Sequence, residues 1–198
     1  MYTKKTLLDL KQSLADKHDS GILPTSSATL SFWTRLFNAG QDYCASKLRP
    51  IKSVSLTTVS GTVALPDDFL FPIRVKDSDN VELPILNRED QDSVGTSAPA
   101  SCYWIDGNHF DGFTFNTSTD ETYTMYYAYK VSEMSSNTDV CIIQDPEAVV
   151  FYAYSKLRKS ETDPLEDADA AMGECERRID IMVSDDQMRN TQITMNTL

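Results

Sequence analysis

Glycine is scarce in this chain, seven among 198 residues, and the sequence holds no glycine-rich phosphate loop, nucleophile elbow or zinc-protease helix. The nucleotide-binding and hydrolase classes that announce themselves by such motifs are therefore excluded. Histidine is scarcer still. His18 and His109 are the whole set, too few and too differently placed for a zinc site or a nucleophile-base pair, and both read as surface positions, one at a helix end and one beside a hairpin. The four cysteines, Cys44, Cys102, Cys141 and Cys175, form no C-x-x-C and read as reduced, buried thiols. No apolar run approaches the roughly 20 residues of a membrane span. The opening Met1-Tyr2-Thr3-Lys4-Lys5 leads into Leu7-Leu8-Asp9 rather than a signal-peptide core, so the expectation is a soluble, unexported protein. Positive charge is also short: 18 Lys and Arg face 30 Asp and Glu, a net charge of −12. A surface this acidic repels phosphate, which argues against wrapping nucleic acid or lying on an anionic membrane.

What is present is globular, with 40% hydrophobic and 24% charged residues. Two helices in series stand out. Asp145-Pro146-Glu147 and Asp163-Pro164-Leu165-Glu166 each put a capping carboxylate, a proline at the first helical position and an early acid where unpaired N–H groups and the helix dipole favour them. The second helix carries Leu165, Ala168, Met172, Cys175, Ile179 and Met182 at spacings of three and four, a single apolar stripe. Val149, Val150, Ala153, Tyr154 and Leu157 of the first are the expected cover. Lys159 to Thr162 is short enough to make the two an antiparallel pair. Residues 145–186 hold twelve acids and five bases, so the acid of the chain is concentrated here.

Earlier in the chain, Leu7, Leu10 and Leu14 mark a short helix from Thr6 to Lys17, stopped by His18-Asp19-Ser20-Gly21. A longer helix follows Pro24 to Ser27, with Leu30, Trp33, Phe37, Cys44 and Leu48 on one stripe and Phe32, Leu36 and Tyr43 beside it. It should be largely buried, and Arg49-Pro50 ends it. From Ile51 to Ile143 the period changes to two. Strands are expected at Val54–Val59, Thr62–Leu65, Phe71–Lys76 and Val81–Leu86, with turns at Ser60-Gly61 and Asp77 to Asn80. Asn87 to Ser93 reads as one helical turn before a Gly95 to Pro99 loop. Tyr103 to Ile105 and His109 to Phe115 flank the tight-turn signal Asp106-Gly107-Asn108. The last strand, Thr122 to Val131, is apolar on both faces and should be central or interfacial.

The order helices, sheet, helices is that of an α+β chain whose terminal helices pack as a bundle around an inserted antiparallel β domain. The expected bounds are 1–50 and 144–186 for the helical core, 51–143 for the insertion and 187–198 for a polar C-terminal arm that frays or orders on a partner.

Candidate chemistry is thin. Asp77-x-Asp79-Asn80-x-Glu82 has part of a calcium loop but lacks its glycine and distal glutamate. Asp67-Asp68 has the composition of a carboxylate pair, yet neighbours on an extended chain point to opposite faces; a turn leading into a strand explains it. Asn116-Thr117-Ser118 is a glycosylation sequon without a secretion signal. Phe110, Phe113, Phe115, Tyr123, Tyr126, Tyr127 and Tyr129 make either sheet core or an aromatic platform. The absences together read as a protein that is not an enzyme, with no cofactor and no metal.

Leu65-Pro66-Asp67-Asp68-Phe69 running into Ile73-Arg74-Val75, the Tyr103-x-Ile105-x-Gly107 hairpin, the Tyr126-Tyr127-Ala128-Tyr129 strand, and Asp145-Pro146-Glu147 leading a helix with Ala153-Tyr154-x-x-Leu157 resemble the head-to-tail adaptor (connector) proteins of tailed bacteriophages. The pattern is similar to the larger adaptors with a β insertion, the group that includes tail tubular protein A of short-tailed phages. The resemblance covers roughly Leu30 to Met182 and rests on ordering. It implies a structural virion protein of the neck, assembled in the host cytoplasm, forming a ring, commonly a dodecamer, that joins the portal protein to a tail or nozzle protein. DNA would pass through without specific binding. Two sets of residues then become candidates: Glu166, Asp169, Glu174, Glu176 and Asp180 as the lining of the DNA channel, and Met188, Ile193, Met195 and Leu198 as a segment that orders against the portal. A carbohydrate-binding or adhesion module using the aromatic sheet face is the alternative, and a small hydrolase using Asp67 or Asp68 comes third.

Overall fold

In the computed structural model, residues 3–18, 21–59, 62–84, 103–105, 113–115, 121–161 and 165–195 are described. The expected turns at Ser60-Gly61 and Asp106 to Asn108, the 87–93 helical turn, the 95–99 loop, His109, Phe110, the sequon, Cys102, the Asp163-Pro164 cap and Leu198 lie outside them. The chain divides into two compact units, Met1–Leu48 with Val131–Leu198, and Arg49–Lys130. The segment from Val131 to Gln144 therefore goes with the helices.

The helical unit consists of α1 (Leu7–His18), α2 (Ser27–Leu48), α3 (Pro146–Ser160) and α4 (Leu165–Met195). A capping box starts α1: Thr6 N–H donates to Asp9 Oδ2 at 2.8 Å while Asp9 N–H donates to Thr6 Oγ1 at 3.2 Å. Asp145 caps α3 as expected, its Oδ1 accepting from Glu147 N–H at 3.1 Å with Pro146 in the first turn. Arg49, at φ 49°, turns the chain out of α2 in the left-handed conformation just before Pro50.

Leu7, Leu10 and Leu14, Trp33, Phe37 and Cys44, Val149, Val150, Ala153 and Leu157, and Ala168, Cys175, Ile179 and Met182 are all buried, as the spacing predicts. Burying each large apolar side chain contributes roughly 1.5–3 kcal/mol. Four expected members of this core are only half-buried: Leu30 and Leu48 of α2, Tyr154, and Met172, whose place on the stripe of α4 is taken by Ala171. Helices α3 and α4 run antiparallel. Arg158 and Lys159 at the end of α3 meet Asp167 and Asp169 at the start of α4, and Asp145 meets Arg178 near the other end. Gly40 lets α2 approach α3, since a Cβ there would lie 3.0 Å from the Tyr152 ring and 3.2 Å from the Val149 carbonyl. Cys44, Cys141 and Cys175 are free and buried. The thiols of Cys44 and Cys175 share a hydrogen bond across α2 and α4, which raises the pKa of the first and lowers that of the second.

Two results depart from the sequence reading. His18 is no ordinary surface residue: its Nε2 lies 2.8 Å from Glu161 Oε1, and its ring meets Trp33 and Tyr154 edge-on, so it ties α1 to the end of α3. And α4 does not end near Asp186 but continues to Met195. The segment 187–195 contains no glycine or proline to stop a helix.

The β unit has a four-stranded antiparallel sheet, order β1-β7-β3-β4, from β1 (Ile51–Thr57), β3 (Phe69–Lys76), β4 (Glu82–Leu83) and β7 (Thr122–Tyr129), and a three-stranded sheet, order β2-β6-β5, from β2 (Thr62–Val63), β5 (Tyr103–Ile105) and β6 (Phe113–Phe115). Strand β7 is central, as apolar residues on both faces require. Leu56, Phe69, Val75, Leu83, Tyr123, Met125 and Tyr127 form the core against its inner face. The strand bounds differ from expectation by a few residues. β3 starts earlier because Asp67 and Asp68 make a turn in which Phe69 N–H donates to the Pro66 carbonyl at 3.0 Å.

Residues 131–144 form no helix or named strand, yet they are firmly held. Asn38 of α2 takes both backbone groups of Met134, donating from Nδ2 to the carbonyl at 3.0 Å and accepting from the N–H at 2.9 Å. One turn on, the buried Gln41 donates to the Ser132 carbonyl and accepts from Ile142 N–H. The start of α1 holds the other side, with Leu7 N–H to the Asp139 carbonyl and Cys141 N–H to the Lys5 carbonyl. Replacing Asn38→Leu strands the N–H and carbonyl of buried Met134, and the expected loss is about 1–3 kcal/mol of unfolding free energy, measured by urea denaturation of the full chain.

Candidate assembly surfaces

On α4, Glu166, Asp169, Glu176 and Asp180 recur at three-, seven- and four-residue spacing and so share one face. The core residues Ala168, Ala171, Cys175, Ile179 and Met182 occupy the other side. All four acids are exposed. Asp169 lies 3.0 Å from Lys159, and Glu176 accepts the Tyr43 hydroxyl at 3.2 Å. Beside them, a shallow groove of about 180 Å³ between α2 and α4 is lined by Tyr43, Lys47, Glu176, Ile179 and Asp180.

Glu174 belongs elsewhere. It accepts from Arg177 at 2.7 Å and from Arg178 Nε at 2.9 Å, while Arg178 also reaches Asp145 Oδ2 at 2.6 Å and covers the Phe151 ring. The Asp145 carboxylate is 5% exposed and satisfied from two directions, by the α3 N–H it caps and by this guanidinium. Glu174 is thus a structural ion-pair acid that fastens α4 to the start of α3.

The candidate portal-binding positions Met188, Ile193 and Met195 sit on the last turns of α4, with only their backbone described, and Leu198 lies outside the described residues. The structure therefore brings together four of the five acids and makes Met188, Ile193 and Met195 part of a helix. Sequence reasoning missed the amide clamp of Asn38 and Gln41. Its signal was present: two amide residues three apart, interleaved with the buried Phe37, Gly40 and Cys44.

In the β unit, the described residues that raised alternatives are engaged within the fold. Asp68 accepts from Lys52 at 2.6 Å and from the Tyr127 hydroxyl at 2.8 Å. Lys52 chiefly, with Tyr127, holds this carboxyl below its ordinary range, and burial with the Asp68 bond pushes the Tyr127 phenol up to about 12. Both groups are fixed as a structural tie. Asp77 spends its Oδ1 on the N–H groups of Asp79 and Val81 at 3.0 and 2.8 Å, closing a turn in which Asn80 has φ 66°. The supposed calcium loop is that turn. As for the aromatic platform, Tyr123 and Tyr127 are buried. Tyr126 and Tyr129 are half-buried with Arg74 and Lys52 4.4 and 4.0 Å over their rings.

The described fold is thus a helical unit with a row of exposed acids on α4, interrupted in sequence by a β unit. The model of the SU10 adaptor protein family matches residues 5–196. The chain belongs to that family, whose members are head-to-tail adaptors of bacteriophages. No curated protein was found to match it. The match spans both units and the last turns of α4, more of the chain than the resemblance read from residues 30–182, and it is consistent with a structural connector of the virion neck.

The Glu174 ion pairs predict a pH signature. Arg177 first, then Arg178, holds Glu174 down to about 2 against an ordinary 4.5. Because the folded-state pKa is depressed, the stabilisation is present above about 4.5 and is lost as pH falls toward 2. Thermal melts should show wild type more stable than Glu174→Gln at pH 6, with the difference gone near pH 2; a pH-independent difference would assign the effect to packing.

Proposed function

We propose that this adaptor assembles as a ring, of twelve copies in the family's common arrangement, between the portal protein and a tail or nozzle protein, with DNA passing through its centre. The family match over residues 5–196 carries this reading. The exposed acids Glu166, Asp169, Glu176 and Asp180 support a lumen in which they repel the phosphates of the passing genome and keep it from adhering. Glu174 is left out of that lining, since its charge is spent on Arg177 and Arg178. The role is one of connection and passage, with no reaction required of the protein.

The decisive experiment is mass measurement and negative-stain imaging of the purified chain, alone and mixed with portal rings. The expected result is a ring added coaxially to the portal. A chain that stays monomeric and ignores the portal overturns the reading.

The end of α4, with Met188, Ile193, Met195 and Leu198, is the proposed portal contact. Truncation after Asp186 is expected to abolish co-sedimentation with portal rings while leaving the thermal transition in place; full docking by the truncated chain refutes the assignment.

A further inference from the structure

The outer face of the four-stranded sheet carries a surface that nothing above uses. Cross-strand partners share a face, so Ile51, Ala128 and Phe71 form one row, and Ser53, Tyr126 and Arg74 the next. Ile51 is 55% and Phe71 39% exposed, an apolar pair open to solvent. Two guanidinium groups lie on this ground, Arg49 5.8 Å over the Phe71 ring and Arg74 4.4 Å over the Tyr126 ring. Neither has a carboxylate partner among the described residues, whereas Arg158, Arg177 and Arg178 each have at least one. In a chain of net charge −12, two arginines stacked on aromatic rings and left unpaired are set for carboxylates supplied from outside.

The same sheet offers a complementary shape at the turn joining β3 and β4. Val81 is 57% exposed there, between the exposed acids Asp79 and Glu82, neither of which has a cation partner among the described residues. The turn is stiff. Asp77 holds two of its N–H groups, and Lys76 donates to Asn80 at 2.9 Å, so little freedom is lost when it docks.

We propose that this sheet face is the seat for a second copy of the chain, whose β3–β4 turn places Val81 against Ile51 and Phe71 while Asp79 and Glu82 meet Arg49 and Arg74. The contact joins two different surfaces, the head-to-tail kind that closes rings. It rests on the ring reading and adds to it the faces that meet. A nucleic acid would also offer anions to arginines on aromatic rings, but the overall charge repels it.

The test uses the full chain with portal rings and three charge-reversed variants: Arg49→Glu with Arg74→Glu, Asp79→Lys with Glu82→Lys, and all four together. All sites are exposed, so circular dichroism melts should match wild type. Each double variant is expected to weaken ring assembly about tenfold or more, since facing like charges are strongly unfavourable, and the fourfold variant to regain it. In parallel, Phe71→p-benzoylphenylalanine should photo-crosslink to residues 77–82 of another copy. Double variants that assemble like wild type overturn the surface. Loss without rescue, a crosslink elsewhere, or a labelled oligonucleotide bound by wild type and released by Arg49→Glu with Arg74→Glu overturns the occupant. A wild type that forms no ring on the portal ends the adaptor-ring reading, and the crosslink then decides this contact separately.

Discussion

The structure depends on how α2 holds the returning chain. The polypeptide leaves the helical unit at Leu48 and comes back at Val131, and closing so long an excursion costs conformational entropy that rises with its length. Repeating secondary structure is not what secures the return. Two side-chain amides do it: Asn38 satisfies Met134 as a neighbouring strand would, and Gln41 bridges Ser132 and Ile142. Asp139, held below the ordinary carboxylate range by the N–H groups of Ser136 and Ser135, shapes the turn between them. With the strap fixed, Asp145 arrives where it can cap α3, and α3 can pair with α4.

Charge is divided by the same geometry. Residues 145–186 carry twelve acids against five bases, more than half of the chain's net charge of −12, and acids crowded on one element oppose its packing unless they are paired or held apart. The structure does both. Asp145 and Glu174 share the guanidinium of Arg178 at the junction with α3, and Glu147 is held low against its burial by Lys5 and Lys17 of the α1 region. Glu166, Asp169, Glu176 and Asp180 of α4 stand one or two turns apart on the solvent face. An acidic face obtained without weakening the core can serve assembly or passage, because folding does not draw on it.

Periodicity made the fold legible. The stripe of α2, the leucine spacing of α1, the cap of α3 and the two-faced apolar strand β7 each state their environment locally, through spacing or a single capping residue. The connector from 131 to 144 was not legible in this way, since its bonds run to residues about ninety to a hundred positions away in α2, and no local pattern encodes them. The ion pairs of Glu174 were not legible for a related reason. Counting acids along a helix records their number but not the angular position that sets Glu174 beside Arg178 and apart from Glu166, Asp169, Glu176 and Asp180. The end of α4 was misjudged because its polar composition was weighed against burial, while the backbone asks only that nothing interrupt the helix.

Most of the groups that look reactive in the sequence are occupied by architecture. Asp68 and Tyr127 constrain each other with Lys52; His18 joins α1 to Glu161; Asp77 closes a turn; the buried thiols Cys44 and Cys175 face one another. Each of these groups makes a contact that holds parts of its own unit together. What the described surface presents to solvent is of another kind: a row of exposed carboxylates on one helix face, and arginines resting on aromatic rings on a sheet. Such features act by contact and by field. A connector requires those properties, and they can be selected on the surface while the clamp, the caps and the buried ion pair keep the frame unchanged.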